Sequence, residues 1–282
     1  MIHLIKNRGI SVKIDEFGAQ LISVVVRGKE RLWQNEDATW AGHAPLLFPV
    51  CGHFSCVVGG KEYAMPPHGF AKDVPFVTEK KSRSSVALSF VSNEDTKKVF
   101  PFDFKYTMKY SLKGKKLCIL HIVENLGDEA MYFACGGHES FVLDGSLSEY
   151  KLVFPTSETF IHRPNNKQGF ISSARETLGV GKELILPERY LQDGSSVILE
   201  GLRSEKLLLC RNDGKKVAEL SFKGLHNLLL WRPSDCNMVC VEPWSNLPDE
   251  QPSEQKEFSQ KRGVFKVLPK KKKKIKRSIV YR

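Results

Sequence analysis

The chain has 282 residues, 41% of them hydrophobic, which can fill the core of one large β domain or of two ordinary ones. Its formal net charge is +11, but residues 261–282 hold eleven of the Lys and Arg residues and no acidic ones. The remaining residues balance at 32 basic against 32 acidic, so the composition excludes a chain that is basic throughout.

The N-terminal segment MIHLIKNRGISVKIDEFG has no charged leader followed by a long apolar stretch, and no run of eighteen apolar residues occurs. The seven cysteines form an odd set without a CxxC pair, and Asn-x-Ser/Thr is absent. We therefore expect reduced thiols in a cytoplasmic protein that does not span a membrane. Cys51, His53 and Cys56 could ligate a metal, but a fourth ligand is missing, so no metal site is predicted.

The first half of the chain alternates apolar and polar residues with a period of two. The stretches ISVKI, QLISVVV, VALSFV and FDFKYTMKYSL follow this pattern. In the last of them the alternating residues are Phe102, Phe104, Tyr106, Met108, Tyr110 and Leu112. Such alternation predicts strands with one buried face.

Later stretches are short, rich in Leu and Val and separated by turn formers. Among them are KLLLCR, VAELSF, NLLLWRP and NMVCVEPW, with RNDGKK and PSDCN between strands. No segment has a long helical apolar stripe, and no Pro- or Ser-rich linker divides the chain. The pattern predicts an all-β, mostly antiparallel sandwich or barrel formed by residues 1–282 as one domain.

The basic C-terminal segment, residues 261–282, ends in PKKKKKIKRSIVYR. A basic run can bind nucleic acid, anionic lipid or an import receptor. Ile275, Ile279 and Tyr281 lie on odd positions, however, as in a strand with one buried face, and lysines commonly protect exposed edge strands. An edge strand or solvated turn is therefore the favoured interpretation, and nucleic-acid binding is not.

Three stretches place an ionisable side chain among glycine, proline and aromatic residues. His68 lies in PPHGFAKDVPF, His138 in CGGHESF and Glu242 in CVEPW. Each of these residues also has a purely structural interpretation. Glu242 could form a buried pair with Arg232, and each histidine could be hydrogen-bonded within the protein. A carboxylate beside Trp244 also suits a sugar, because aromatic rings bind its CH faces and its hydroxyls seek charged acceptors. We expect the glycines before His138 to make room for a ligand.

These stretches, together with WAGHAPLLFPVCG at residues 40–52, resemble blocks of the aldose 1-epimerase (galactose mutarotase) superfamily. The resemblance runs through nearly the whole chain and is closest to the short, LacX-like branch. It implies a galactose-mutarotase-like β-supersandwich that interconverts the α and β anomers of a hexose without a cofactor. The oligomeric state stays open.

The resemblance also implies roles for particular residues. Glu242 is the catalytic base, His138 the catalytic acid and His68 a histidine that positions the ligand. If the first two lie close together, the carboxylate should raise the pKa of the histidine and the cation should lower that of the glutamate, giving a bell-shaped pH profile. Substrate contacts are expected from His53, Asp193, Trp244 and Phe70.

The chain departs from the family pattern at three places. His53 stands where the family often has an arginine, and histidine lacks the five-donor fork of guanidinium. Glu139 and Ser140 stand where the branch has His-Pro, and Ser245-Asn246 where a glycine is usual. These departures leave the sugar open.

Two alternatives to a hexose mutarotase therefore remain. One is a carbohydrate-binding protein without catalytic activity. The other is a hexose-6-phosphate 1-epimerase, if Lys72, Arg232 and the basic C-terminal segment converge on a phosphate. A glycoside hydrolase is not favoured, because it needs two carboxylates and only Glu242 lies in a site-like stretch.

Overall fold

The computed structural model describes residues 1–35, 39–192, 194–233, 236–250 and 256–282. Strands account for 52% of the chain and helices for 6%, which confirms the predicted all-β class. In chain order the strands are β1 (Ile2–Asn7), β2 (Ile10–Asp15), β3 (Leu21–Val26), β4 (Lys29–Glu30), β5 (Cys56–Val58), β6 (Lys61–Tyr63), β7 (Val77–Ser82), β8 (Ser85–Val91), β9 (Phe104–Lys113), β10 (Lys116–Asn125), β11 (Met131–Phe133), β12 (Glu139–Val142), β13 (Tyr150–His162), β14 (Glu176–Ile185), β15 (Ser196–Leu199), β16 (Lys206–Arg211), β17 (Lys216–Ser221), β18 (Asn227–Trp231), β19 (Met238–Trp244), β20 (Phe265–Val267) and β21 (Lys272–Tyr281).

Helical structure in the described residues is short. One α-helical turn, α1 (Glu94–Lys97), is capped by Asn93, whose side chain accepts from the backbone N–H of Thr96. The 3-10 turns cover Ala71–Asp73, Leu147–Glu149, Glu188–Tyr190 and Phe258–Gln260. No helix of the described residues is long and apolar enough to cross a membrane.

The main sheet is antiparallel and has thirteen strands. Its order is β12-β19-β18-β15-β13-β16-β17-β21-β10-β9-β8-β7, and β14 pairs with β13 beside this path. A second sheet has the order β1-β2-β3-β4, and two small ribbons pair β11 with β20 and β5 with β6. Each stretch predicted as a strand from its alternation or its turn boundaries coincides with a strand here, although β9 begins at Phe104 rather than at Phe102.

The C-terminal strand β21 is an inner strand of the main sheet, so the prediction of an edge strand is wrong. It pairs with β10 on one side and with β17 on the other. Ile275, Ile279 and Tyr281 are buried as the alternation predicted. Lys272, Lys274 and Lys276 alternate with this buried face and are exposed, so they cover a solvated sheet face rather than a free edge.

Aromatic side chains pack around Phe48 in the interior of the fold. Phe48 packs between the ring of Tyr106, stacked at 4.2 Å, and that of Phe133 at 5.7 Å. A ring of this size buries on the order of 150–250 Å² and anchors the backbone that carries it. The anchored segment continues through residues 49–53 into the cleft described next.

Candidate active site

One face of strands β15, β18 and β19 forms the floor of an open cleft of about 1080 Å³. The register places Leu229 of β18 opposite Glu242 of β19 and Ile198 of β15 opposite Leu229. Because alternate residues share a face, Glu242 and Trp244 both point into this cleft. Of the residues predicted for the site, those that line it are His53, His68, His138, Glu242 and Trp244.

Glu242 and His138 approach each other at the bottom of the cleft. Nε2 of His138 lies 3.5 Å from Oε2 of Glu242, and the carboxyl group is fully buried. The indole N–H of Trp244 donates to the same oxygen at 3.2 Å. No described residue bonds to Oε1 of Glu242 or to Nδ1 of His138, although both atoms are buried. Buried polar atoms are normally paired, so these two mark where a ligand would bind.

Burial shifts the two pKa values in the direction opposite to the one predicted from their proximity. Desolvation lowers the pKa of His138 to about 4. Desolvation also raises the pKa of Glu242 well above its ordinary value. The hydrogen bond from Trp244 acts in the opposite direction, and the negative charge of Glu139 adds to the rise. Both shifts therefore favour a protonated carboxyl group beside a neutral imidazole in the free site.

His68 occupies a constrained backbone position on the other wall of the cleft. Its φ of 64° lies in the left-handed region, which is rare for a residue with a side chain. Nδ1 accepts a hydrogen bond from the N–H of Gly52 at 3.1 Å. Desolvation, with the nearby His138, lowers the pKa of His68 to about 3, so the ring is neutral. Its proton must then be on Nε2, which leaves one fixed donor for a ligand.

Two tryptophans that the sequence interpretation did not select enclose His138. The ring of Trp40 stacks on the imidazole at 5.3 Å with an interplanar angle of 23°. Trp231 meets the imidazole edge-on at 5.8 Å. Trp40 does lie in one of the blocks that carry the family resemblance, but it is ninety-eight positions from His138, and nothing local in the sequence indicates the stacking.

The glycines before His138 make room for protein atoms, so the prediction that they make room for a ligand is wrong. A Cβ on Gly136 would lie 2.8 Å from the carbonyl oxygen of Pro243 and 2.8 Å from the indole of Trp244. A Cβ on Gly137 would lie 2.1 Å from a guanidinium nitrogen of Arg277. The close backbone approach holds His138 against the strand that carries Glu242.

The departures at residues 245 and 246 have structural functions at the rim of the cleft. The side-chain amide of Asn246 donates to the carbonyl of Cys51 at 2.9 Å, and its oxygen accepts from the N–H of Cys51 at 3.1 Å. The hydroxyl of Ser245 accepts from the N–H of Cys135 at 3.1 Å. These two side chains therefore join the segment after β19 to the segments that lead to His53 and His138.

The remaining predicted ligand contacts fall into three groups. His53 lines the cleft beneath Phe170, at 4.8 Å between ring centroids, and burial lowers the pKa of its imidazole. Phe70 is not among the described residues of the cleft lining, and its ring packs in the core against Phe48 at 6.3 Å. Asp193 lies outside the described residues.

The cationic side chains proposed for a phosphate do not all converge. Lys72 lines the cleft and pairs with Asp73. Arg232 donates to the carbonyl of Leu191 at 2.9 Å and lies 3.4 Å from the carboxylate of Glu188. Lys272, Lys274 and Lys276 of β21 lie on the solvated face of the sheet.

One set of side chains in the described residues could hold a metal ion. Ligating atoms of His138, Cys240 and Glu242 all lie within 4.8 Å of one another. The cysteines at 51 and 56 are buried free thiols, and with His53 they form no such set among the residues described.

Comparison with known proteins agrees with this fold. The sequence pattern of the aldose 1-epimerase family matches residues 1–166. Protein LacX, plasmid, of Lactococcus lactis subsp. lactis is 28% identical to this chain, and the match covers 94% of each protein. A galactose mutarotase-like protein from Lactobacillus casei superposes with a TM-score of 0.92 at 28% identity over all of both chains. A galactose mutarotase related enzyme from Lactobacillus acidophilus superposes with a TM-score of 0.88 at 26% identity, covering 100% of this chain and 97% of that one.

The protein belongs to the aldose 1-epimerase family, since the family pattern matches more than half of its chain. The fold is the predicted galactose-mutarotase-like β-supersandwich. Family and fold together confirm the prediction of an epimerase-type isomerase.

Proposed function

We propose that the cleft binds a hexose in its pyranose form and interconverts the two anomers by general acid–base catalysis. The observation that supports this most directly is the approach of His138 Nε2 to Glu242 Oε2 at 3.5 Å, beside a carboxylate oxygen with no donor among the described residues. A hydroxyl of the sugar can supply the missing hydrogen bond. Aromatic rings beside the pair provide apolar surface for the CH groups of the sugar.

Opening the ring needs one base and one acid at the anomeric centre. Glu242 as carboxylate takes the proton of the C1 hydroxyl, while His138 as imidazolium protonates the ring oxygen. The bond between C1 and the ring oxygen breaks, and the electron pair of the former O–H bond completes the aldehyde. The carbonyl group turns about the C1–C2 bond, and the ring closes with the same proton transfers reversed.

The directions of the two pKa shifts agree with this cycle. Glu242 protonated and His138 neutral is the arrangement that accompanies the open aldehyde, and it contains as many protons as the ion pair that starts ring opening. No proton has to enter from solvent during turnover. Binding of the closed sugar must favour the ion pair, which a hydroxyl donating to Oε1 of Glu242 would do, because hydrogen bonds to a carboxylate stabilise its charge.

His68 is proposed to position the substrate. Its Nδ1 is already bonded to the backbone of Gly52, so the proton on Nε2 is the group available to the sugar. A neutral donor can bind the ring oxygen or a hydroxyl without competing with His138 for the transferred proton. The short imidazole of His53, in place of the family arginine, leaves a weaker contact on the opposite wall.

The substrate is proposed to be a free hexose, with a phosphorylated hexose as the second candidate. Lys72 and Lys167 both line the cleft, and two ammonium groups at its rim suit a phosphate on C6. A sugar-binding protein without catalysis is the alternative that the His53 replacement favours. One experiment distinguishes the free hexose, the phosphorylated hexose and binding without catalysis.

The test follows the optical rotation of fresh α-D-glucose and α-D-galactose, with hexose 6-phosphates followed by NMR exchange. We expect the wild type to exceed the buffer rate for one of them. Glu242→Gln and His138→Asn should each reduce the catalysed rate by roughly a hundred- to ten-thousandfold. Glu183→Gln and His226→Asn are matched controls outside the cleft lining and should retain the wild-type rate.

The proposal is contradicted if both site variants keep the wild-type rate. If the folded wild type does not exceed the buffer rate for any sugar, catalysis is excluded for this panel. Calorimetric titration with the same sugars then decides whether the cleft binds without catalysis.

A further inference from the structure

A buried ion pair lies directly behind the candidate active site. Nη1 of Arg277 donates to both carboxylate oxygens of Glu139, at 2.7 and 2.8 Å, and both side chains are at most 3% exposed. Arg277 belongs to β21 and Glu139 begins β12, so the pair joins two strands that are far apart in the main sheet. The function proposed above assigns no role to either residue.

The interior position of Arg277 is unusual for its strand. Ile275, Ile279 and Tyr281 occupy the same buried face of β21. An apolar residue there would avoid the cost of removing a guanidinium group from water, and well-packed apolar replacements of buried ion pairs are often as stable. Retention of the charge therefore suggests a role beyond stability.

The pair touches the segment that carries His138. A Cβ on Gly137 would lie 2.1 Å from Nη1 of Arg277 and 2.5 Å from Oε2 of Glu139, so the guanidinium and the carboxylate pack against the Cα of that glycine. The N–H of Gly137 donates to the carbonyl of Pro243 at 3.0 Å. The residue before His138 is thus held between the ion pair and the residue after Glu242.

A further chain of buried groups fixes the guanidinium. Its Nε lies 3.4 Å from Nε2 of His121, whose Nδ1 is 2.8 Å from the hydroxyl of Tyr106. Desolvation and the charge of Arg277 lower the pKa of His121 well below its ordinary value, so His121 is a neutral partner. The orientation of Arg277 is therefore set by Glu139 and by the neutral His121, which Tyr106 in turn holds.

We propose that Glu139 and Arg277 are positioning residues for the acid–base pair: they hold Gly137 so that His138 faces Glu242, and their charges set the electrostatic field at Glu242. This inference rests on the function proposed for the cleft. The contact of Nη1 with both carboxylate oxygens supplies the geometry, and a unit charge in a buried site acts strongly on a neighbouring carboxyl group. The titratable and charged groups that surround Glu242 are Cys51, His68, His138, Glu139, Cys240 and Arg277.

Trp244 allows a test that needs no sugar. Its indole N–H bonds to Glu242, so its fluorescence should change when Glu242 titrates, and Glu242→Gln should remove that change. Glu139→Gln removes a negative charge and leaves Arg277 positive, which favours the ionised form of Glu242. We expect the fluorescence transition to move to lower pH by about one unit. The matched control is Glu183→Gln, in an ion pair with Lys151 on β13, and should not move it.

Two more variants separate the electrostatic effect on Glu242 from the positioning of His138. Arg277→Lys keeps the charge but loses the planar guanidinium and its Nε contact with His121. The fluorescence transition should therefore stay within about 0.3 pH unit, while kcat falls roughly tenfold with little change in KM. In the double variant Glu139→Gln/Arg277→Gln the transition should return toward the wild-type pH, because no net charge remains. Circular dichroism and thermal melting establish that each variant is folded.

The inference is overturned if folded Glu139→Gln titrates as the wild type does, or if Arg277→Lys keeps the wild-type kcat. If Glu139→Gln does not fold, Arg277→Lys alone decides the geometric part. If only the proposed mutarotase function fails, the wild type has no activity, but its fluorescence transition still shifts in Glu139→Gln. Failure of the proposed function is therefore distinguishable from failure of the positioning role.

Discussion

Nε2 of His138 lies 3.5 Å from Oε2 of Glu242, yet the other polar atom of each side chain is buried without a described partner. Burial raises the pKa of Glu242 and lowers that of His138, so both shifts favour a free pair that carries no net charge. Buried polar atoms are normally paired, and the proposed sugar would supply the missing hydrogen bonds.

The first prediction concerns the pH dependence of kcat/KM. The pair is active when it holds one proton, because proton transfer within it does not change its charge. Activity should fall on the acid side near pH 4, where His138 gains a proton, and on the alkaline side only above the raised pKa of Glu242. Polarimetry across the pH range, corrected for buffer catalysis, should therefore show a plateau through neutral pH. A narrow maximum between about 4.3 and 6.5, the ordinary values of the two groups, would contradict the direction of both shifts.

The second prediction concerns Trp244. Its N–H lowers the pKa of Glu242, so Trp244→Phe should raise that pKa and disfavour the ion pair that starts ring opening. We expect kcat/KM to fall about tenfold and its alkaline limb to move upward by about one pH unit. Trp231→Phe is the matched control for the alkaline limb, because its N–H donates to the carbonyl of Gly194 instead. An alkaline limb that stays in place in Trp244→Phe would mean that this hydrogen bond does not tune Glu242.

Much of this architecture could be predicted from local sequence. Alternation with a period of two identified strands such as β2, β3, β8 and β9, because one buried face imposes that period. The ionisable residues beside glycine and proline were His68, His138 and Glu242, and the fold brings all three to one cleft. These features depend on neighbouring residues, which a single sequence displays directly.

Features that depend on distant residues could not be predicted in this way. The lysines around β21 suggested an edge strand, since nothing local indicates that β10 and β17 pair on both sides of it. Arg277 has its partner 138 positions away, so its burial has no local signal. The pKa directions were also wrong, because proximity of opposite charges was assumed to outweigh desolvation, and the depth of burial is a property of the folded chain.

The third prediction concerns the glycine that leads into the site. Gly136→Ala would place a Cβ 2.8 Å from the carbonyl oxygen of Pro243 and 3.0 Å from Sγ of Cys51, so backbone must move. We expect a loss of about 1–3 kcal/mol in the free energy of unfolding, measured by urea denaturation, with a lower kcat. Gly179→Ala, whose Cβ would meet only the ring of Phe160 at 3.9 Å, should change neither property. Equal stability of the two variants would show that the segment relaxes freely.

The fourth prediction concerns the buried ion pair of Lys261 and Asp249. Nζ of Lys261 contacts both carboxylate oxygens of Asp249, at 2.7 and 2.6 Å, and the hydroxyl of Ser55 at 2.7 Å. Lys261→Met leaves the buried carboxylate without its cation, which should lower the free energy of unfolding by about 3–5 kcal/mol. Adding Asp249→Asn to that variant should recover part of the loss. Lys215→Met, in an exposed pair with Asp144, should cost less than about 1 kcal/mol.

The last prediction concerns the lysines of β21. Deleting residues 270–282 removes an inner strand together with Arg277, so we expect no folded protein, and such a deletion cannot test binding to polyanions. Replacing the exposed Lys272, Lys274 and Lys276 with Gln leaves the buried face intact and should change stability by less than about 0.5 kcal/mol for each residue. Because nucleic-acid binding is not expected, fluorescence anisotropy with labelled single-stranded DNA at physiological salt should give the same weak signal for the wild type and the triple variant. Tight binding by the wild type, lost in the triple variant with a smaller salt dependence, would instead identify this face as a polyanion site.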